Sequence, residues 1–228
     1  MQYAGGKNST YRHIINQMPP HRVYIEGCLG SGAVLRFKRP AQVNIGVDID
    51  SVVIATFGEV VEREDLIVIC SDAISYLRNF NFAAAGSALV YLDPPYVMSS
   101  RSSQDKIYRH EMTDEQHVEL LETALDISNY GVKIQISGYH SELYSKALAH
   151  WRHITFKAIK RSGEAATEYL WMNYPEPLEL HDYRYLGENF REREQITRQQ
   201  KRWRAKLEGM PAQRRYALLS VLEELKGR

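Results

Sequence analysis

The sequence has few cysteines, almost no net charge and no long apolar run. Its two cysteines, Cys28 and Cys70, lack the Cys/His spacing of a metal site, so we expect reduced thiols and no metal. No apolar run approaches the roughly 20 residues that span a bilayer, and residues 1–7 lack the apolar core of a signal peptide. These absences predict a cytoplasmic protein without membrane contact.

The net charge of +1 gives no overall attraction to nucleic acid, but the charge is unevenly distributed. Residues 1–179 hold 17 Lys/Arg against 21 Asp/Glu, whereas residues 180–228 hold 12 against 7. The carboxyl-terminal segment is therefore the basic part of the chain.

One short apolar run, Leu89-Val90-Tyr91-Leu92, ends abruptly in Asp93-Pro94-Pro95-Tyr96. Because two prolines cannot donate ladder hydrogen bonds and favour extended geometry before them, we predict that a buried strand ends at Asp93. Ligands bind at the carboxyl ends of strands in open α/β sheets, so this loop is a candidate site. A turn capped by Asp93 is the structural alternative.

Three earlier strands are also predicted to end in small or acidic residues. The strand 22–26 leads into the glycine turn 27–32 and a helix, the strand 43–50 contains Asp48, and the strand 66–70 precedes Asp72. A dinucleotide fingerprint would need glycine where Leu35 stands, so the turn favours an adenosine ligand without a pyrophosphate. Alternating strands and helices predict a mostly parallel sheet with ligand groups along one edge.

The remaining chain has four further predicted features. Residues 97–112 form a polar, serine-rich loop, Thr113-Asp114-Glu115-Gln116 is a capping box that begins a helix, and residues 152–159 and 168–173 are two closing strands. The segment from about residue 182 is predicted to be helical, with a break at 209–211. Near the amino terminus Lys7 could reach an anion, although an exposed lysine on a frayed terminus is the local alternative.

Several of these motifs, in this order, resemble the Dam-like, D12-class DNA adenine-N6 methyltransferases. They are Tyr3-Ala4-Gly5-Gly6-Lys7, residues 26–32, Asp48 and Asp93-Pro94-Pro95-Tyr96, and the resemblance covers roughly residues 1–175. Later segments also resemble the family, namely Tyr108 with the capping box, Ile136-Ser137-Gly138-Tyr139 and Lys160-Arg161-Ser162.

The resemblance implies a fold, a domain division and a cofactor. The expected fold is α/β, a Rossmann-like S-adenosylmethionine-dependent methyltransferase with a mostly parallel sheet, helices on both faces and a carboxyl-terminal helical extension. The expected domains are a catalytic domain at 1–179, whose loop 97–112 contacts DNA, and a basic extension at 180–228. The expected partner is double-stranded DNA in a bacterium or phage, without a metal; a dimer through the terminal helices is left open.

Residue roles follow from the resemblance by position. The catalytic residues would be Asp93, Pro94, Pro95 and Tyr96. The cofactor residues would be Tyr3, Lys7, Glu26, Cys28, Gly30, Gly32, Asp48, Ile49, Asp72, Ala73 and Asp93. The DNA contacts would be Arg101, Lys106, Tyr108, Arg109, Lys160 and Arg161.

The sequence departs from the family pattern at two places. Gly27-Cys28 stands where the family usually has Pro-Phe, and only 24 positions separate Asp48 from Asp72, which leaves no room for the family's target-recognition domain. Recognition of a particular DNA sequence is therefore not implied. Methyltransferases acting on cytosine N4, RNA adenine or protein glutamine, a DNA-binding relative without catalysis, and a nicotinamide-dependent oxidoreductase stay as alternatives.

Overall fold

The central element is a mostly parallel β-sheet, as predicted. The structure is a computed structural model, and it describes Lys7 and residues 9–61, 63–97, 109–159 and 165–226. Within these residues the sheet has seven strands in the order β3-β2-β1-β4-β5-β7-β6. The strands are β1 (Val23–Gly27), β2 (Val43–Asp48), β3 (Leu66–Cys70), β4 (Ala88–Leu92), β5 (Lys133–Tyr139), β6 (Arg152–Ile159) and β7 (Ala165–Met172).

The first five strands are parallel, and β7 runs antiparallel to both of its neighbours, β5 and β6. Every residue of β1 and β4 is buried, which is typical of parallel strands covered on both faces. The prolines after Asp93 end β4 at Leu92, one residue before the predicted end.

The helices are α1 (Tyr11–Ile15), α2 (Ala33–Phe37), α3 (Ser51–Val60), α4 (Ala73–Asn79), α5 (Phe82–Ala85), α6 (Asp114–Ser128), α7 (Glu142–Ala147), α8 (Phe190–Glu208) and α9 (Ala212–Lys226). None of the helices in the described part of the chain is long and apolar enough to cross a membrane. The predicted capping box is confirmed at α6, where Thr113 Oγ1 accepts the Gln116 N–H and Gln116 Oε1 accepts the Thr113 N–H. The tail helix begins at Phe190, so the prediction of helix from about residue 182 was wrong for residues 182–189.

Helices cover both faces of the sheet. Alternate strand residues such as Ile25 and Val90 pack with apolar side chains of α4, α6 and α7 in one core cluster. On the opposite face Gln135 donates to the Ile14 carbonyl of α1, and Gly46 lies against Leu35 of α2. Because helices cover the sheet on both faces, the strand ends are held in fixed relative positions.

The chain divides into two compact units, Met1–Asp182 and Tyr183–Arg228. The last residues of the first unit are fastened to it, because the His181 ring stacks on His21 and the Asp182 carboxylate accepts the Arg39 N–H at 2.8 Å. The second unit contains α8 and α9, joined at Gly209-Met210-Pro211, where the sequence predicts the break.

Candidate active site at the carboxyl edge of the sheet

A cleft lies where β1, β2 and β4 end, and its empty volume, including space open to solvent, is about 960 Å³. Most residues predicted to bind the cofactor line it, namely Lys7, Glu26, Cys28, Gly30, Asp48, Ile49, Asp72, Ala73 and Asp93. Pro95 also lines the cleft, and so do His110 and Gln116, which were not among the predicted cofactor residues. Tyr3 lies outside the described residues.

Gly27 at the end of β1 and Gly32 in the following turn both lie close to other side chains. A Cβ at Gly27 would lie 2.7 Å from Leu92 Cδ2, so the larger residue that the family usually carries would require the Leu92 side chain to shift. Gly32 has a φ of +57°, and a Cβ there would lie 2.2 Å from the Phe57 ring of α3. Gly32 thus shapes the turn and its packing and is not itself among the residues that line the cleft.

Asp48 is buried at the end of β2, and backbone groups hold both of its carboxylate oxygens. Oδ2 accepts the Gly30 N–H at 2.8 Å and Oδ1 accepts the Asp50 N–H at 2.9 Å. Burial raises the pKa of Asp48, and these two hydrogen bonds oppose that shift. Each oxygen has a second lone pair, so this carboxylate is suited to accept ligand hydroxyls.

The donor and acceptor set of the cleft fits S-adenosylmethionine. Carboxylates at Asp48, Asp72 and Asp93 suit hydroxyl groups and a positive charge, and Ile49, with 52% of its surface exposed, offers an apolar contact to a planar base. Asp72 also caps α4 by accepting the Ser75 N–H at 2.8 Å. The capping role and a position in the cleft are therefore compatible for Asp72.

Asp93 lies just beyond β4 and is held through one oxygen by two donors. Lys7 Nζ lies 2.6 Å from Asp93 Oδ1, and Ser137 Oγ donates to the same oxygen at 2.9 Å. The Tyr91 hydroxyl lies 2.8 Å from Ser137 Oγ and completes the chain of hydrogen bonds. Both of these donors to Asp93 thus reach Oδ1.

Lys7 is buried between two carboxylates, so the alternative of an exposed lysine was wrong. Its Nζ also lies 2.8 Å from Glu168 Oε1, and its side chain is 5% exposed. Burial lowers the pKa of Lys7, but the charges of Asp93 and Glu168 outweigh burial and raise that pKa well above 10.5. Lys7 is therefore a permanent cation in this site.

The candidate catalytic loop continues into a second, smaller hollow beside the cleft. Pro94, Pro95, Tyr96 and Val97 line it from the loop, and His117, Ser137, Gly138, Tyr139 and Tyr144 line it from α6, β5 and α7. The Tyr96 ring stacks on Tyr139, with ring centroids 4.1 Å apart and planes 20° apart. The aromatic surface at Tyr96 therefore consists of two stacked rings.

The predicted DNA contacts are mostly not described. Arg101, Lys106, Tyr108, Lys160 and Arg161 lie outside the described residues. Arg109 is described, with its side chain 65% exposed and its Nη1 3.3 Å from Asp50 Oδ1.

Cys28 and Cys70 are free thiols, and burial raises the pKa of Cys28. Within the described ranges, no cluster of His, Cys, Asp and Glu side chains could hold a metal ion.

The sequence analysis placed Tyr91 and Glu168 in strands but did not assign either residue to the site. It quoted Ser137 and Tyr139 only within a segment that resembles the family. The available signal for Glu168 was that it is the single charged residue of β7. That signal has no meaning without the direction of β7, which the sequence does not state.

One protein family matches part of this chain by sequence. The family model described as D12 class N6 adenine-specific DNA methyltransferase matches residues 72–163, which confirms the resemblance over that part of the chain. None of the curated proteins matches the chain significantly.

Three of the solved structures that match the chain at low sequence identity illustrate the range of proteins found. They are a precorrin 8W decarboxylase from Methanobacterium thermoautotrophicum (12% identity, 76% of this chain and 94% of that chain, TM-score 0.48), the 23S rRNA methyltransferase ErmE (13%, 77% and 72%, 0.48) and an rRNA methylase from Streptococcus thermophilus (9%, 74% and 92%, 0.45). The family match, together with the cleft at the carboxyl edge of the sheet, supports an S-adenosylmethionine-dependent methyltransferase.

Proposed function

We propose that the protein transfers a methyl group from S-adenosylmethionine to the exocyclic N6 amine of adenine in DNA. The observation that carries the proposal is Asp93 at the end of β4, held through Oδ1 by Lys7 and Ser137 and followed by Pro94-Pro95-Tyr96. This arrangement lies, apart from Lys7, within the segment that matches the adenine-specific family model.

The adenine amine needs orientation, because its lone pair is delocalised into the ring. Asp93 Oδ2 is the oxygen that we assign to one amine N–H, since Lys7 and Ser137 both occupy Oδ1. The Pro94 carbonyl accepts the other N–H, and the lone pair then turns towards the methyl donor. Such positioning by preorganised acceptors accounts for most of the catalysis.

S-adenosylmethionine supplies a methyl group that leaves sulfur as a carbon electrophile, with the bonding electron pair staying on sulfur. The amine nitrogen forms the new N–C bond and gives up one proton. Asp93 Oδ2 accepts this proton and passes it to solvent, to which 19% of the Asp93 side chain is exposed. Asp48 and Ile49 line the cleft, where Asp48 would accept the ribose hydroxyls of the cofactor and Ile49 would contact its adenine.

A base in duplex DNA must be flipped out to reach this loop. The stacked rings of Tyr96 and Tyr139 provide the aromatic surface for it, next to Pro95 in the hollow beside the cleft.

Among the alternatives, cytosine N4, RNA adenine and protein glutamine are planar amines that the same chemistry serves. The family match favours DNA adenine, and the intact Lys7–Asp93 pair disfavours a non-catalytic relative.

The test is to express the protein in cells without adenine methylation and to map N6-methyladenine by sequencing their DNA. An Asp93→Ala variant, expressed to the same level, is the matched control. We expect N6-methyladenine with the wild type and none with the variant. Methyl groups found on cytosine, RNA or protein, with unmodified DNA adenine, would contradict the proposal.

A further inference from the structure

Two buried charges, Lys7 and Glu168, meet the partly buried Asp93 at the catalytic edge, although the three residues come from distant parts of the sequence. Lys7 lies 2.6 Å from Asp93 and 2.8 Å from Glu168, and the side chains of Lys7 and Glu168 are 5% and 3% exposed. Glu168 reaches this edge because β7 is antiparallel. Its register places Glu168 opposite Tyr139, the last residue of β5, so a residue near the start of β7 lies beside the ends of β4 and β5.

The charges of this cluster do not cancel. One cation, Lys7, lies between two carboxylates, Asp93 and Glu168, so the formal sum is one negative charge when both carboxylates are ionised. Burial raises the pKa of Glu168, and the charge of Lys7 opposes that shift. With Asp93 alone the pair would be neutral, and Lys7 would present its positive charge to the cleft that it lines. Glu168 does not line the cleft, and it therefore acts from behind Lys7. Charges buried in this way are screened much less by salt than surface charges.

We propose that Glu168 is a positioning residue that holds Lys7 on Asp93 and keeps the cluster at one net negative charge, so that the cleft favours the cationic methyl donor over its neutral product. The inference rests on the part of the proposed function that puts S-adenosylmethionine in this cleft. The donor carries a positive sulfonium, whereas S-adenosylhomocysteine has an uncharged thioether and shares every other binding group. The ratio of the two affinities therefore isolates the effect of the charge.

Calorimetric titration of the full-length protein with each compound tests the proposal. Glu168→Gln preserves shape and removes the charge, and we expect it to reduce the preference for S-adenosylmethionine over S-adenosylhomocysteine by about tenfold. Glu168→Asp keeps the charge and should restore most of the preference. Glu176→Gln removes an exposed carboxylate of the same kind and should leave the ratio at the wild-type value.

If Glu168 had only a structural role, Glu168→Gln would lower the affinity for both compounds equally and leave the ratio of affinities unchanged. That result would overturn the proposal. If Glu168→Gln does not fold, Lys7→Gln provides the second test, because it leaves two carboxylates without the cation and should increase the preference above the wild-type value. An unchanged or smaller preference in Lys7→Gln would overturn the proposal.

The outcomes separate this inference from the proposed function. A wild type that binds both compounds but does not methylate DNA adenine contradicts the proposed reaction alone. Normal DNA methylation with an unchanged affinity ratio in Glu168→Gln contradicts the inference alone. A wild type that binds neither compound overturns both.

Discussion

Asp93 is the residue on which the proposed chemistry depends most, and the groups around it indicate how its replacement should affect the reaction. Lys7 and Ser137 both require an acceptor at Oδ1. In Asp93→Asn the amide can satisfy them only by turning its NH₂ group towards the substrate amine, so a donor would face a donor. We therefore expect kcat for methyl transfer to fall about a hundredfold or more, as when other preorganised catalytic groups are removed.

The matched control for this prediction is Asp126→Asn on the exposed face of α6, which should retain full activity. Steady-state kinetics with tritiated S-adenosylmethionine and DNA provide the measurement. Affinity for S-adenosylhomocysteine should change little, because Asp48 and Ile49 are untouched, whereas the lost negative charge should weaken the binding of S-adenosylmethionine. Turnover of Asp93→Asn above about a tenth of the wild-type value, a barrier change under ~1.4 kcal/mol, would show that Asp93 is not the acceptor.

At the scale of elements, the turn between β1 and α2 depends on Gly32. Its φ of +57° disfavours any side chain, and a Cβ would overlap the Phe57 ring at 2.2 Å. We expect Gly32→Ala to lower the free energy of unfolding by about 1–3 kcal/mol, since α3 must shift to make room. Gly58→Ala is the matched control, because its Cβ would meet no atom within 4 Å and alanine favours the helix by up to ~1 kcal/mol.

Urea unfolding of both variants gives the two free energies directly. The expected result is opposite signs, with Gly32→Ala less stable and Gly58→Ala slightly more stable than the wild type. Equal stability of Gly32→Ala and the wild type would mean that the turn tolerates a side chain, and the described packing against α3 would then be wrong.

The segment that ends the first unit introduces a pH dependence through His21. Burial, His181 and Lys38 lower the pKa of His21 from 6.5 to about 3. Between these values an unfolded chain binds a proton at this residue and the folded chain does not, so the free energy of unfolding falls as the pH falls below 6.5. This residue contributes a slope of at most ~1.4 kcal/mol per pH unit.

Replacing His21 with Phe keeps an aromatic ring against His181 and removes the titrating group. We expect the stability of His21→Phe to depend less steeply on pH than that of the wild type over this window, measured by urea unfolding at a series of pH values. Parallel curves for the two proteins would show that His21 gains its proton equally in both states.

At the scale of the whole molecule, the second unit is the basic part of the chain, and its role in holding DNA stays a prediction. Its α8 carries Arg198, Lys201, Arg202, Arg204 and Lys206, whereas α9 exposes Tyr216, Leu218, Leu219, Val221, Leu222 and Leu225. The first set favours phosphate contacts and the second favours assembly. Because each phosphate contact contributes roughly 0.9 to the slope of log affinity against log salt, the two roles can be measured separately.

We expect the full-length variant Lys201→Gln/Arg202→Gln/Arg204→Gln to bind DNA with a smaller salt slope, by up to ~0.9 for each phosphate that the variant no longer neutralises. Fluorescence anisotropy at several salt concentrations provides the measurement, and Glu223→Gln/Glu224→Gln on α9 is the control, because it changes charge without removing a cation. An unchanged slope, together with a concentration-dependent dimer in sedimentation analysis, would identify this unit as an assembly element instead.

Features that depend on neighbouring residues can be predicted from the sequence alone. Pro94 and Pro95 end β4 through their missing N–H groups, the Thr113/Gln116 pair begins α6, and the acids Asp48 and Asp72 follow strands whose apolar runs are visible by inspection. Since parallel strands end at one edge, these local signals predict that the acids meet at one site. The family resemblance assigned most of the other predicted residues that line the cleft.

The side chains that surround Asp93, in contrast, follow only from the tertiary structure. Lys7 precedes the first strand and Glu168 lies near the start of β7, so the chain separates by more than a hundred residues two groups that lie 2.8 Å apart. Their meeting depends on the insertion of β7 antiparallel between β5 and β6, which brings the start of that strand to the edge where β4 and β5 end. Long-range strand order is chosen by the packing of the whole sheet, and no short stretch of sequence encodes it.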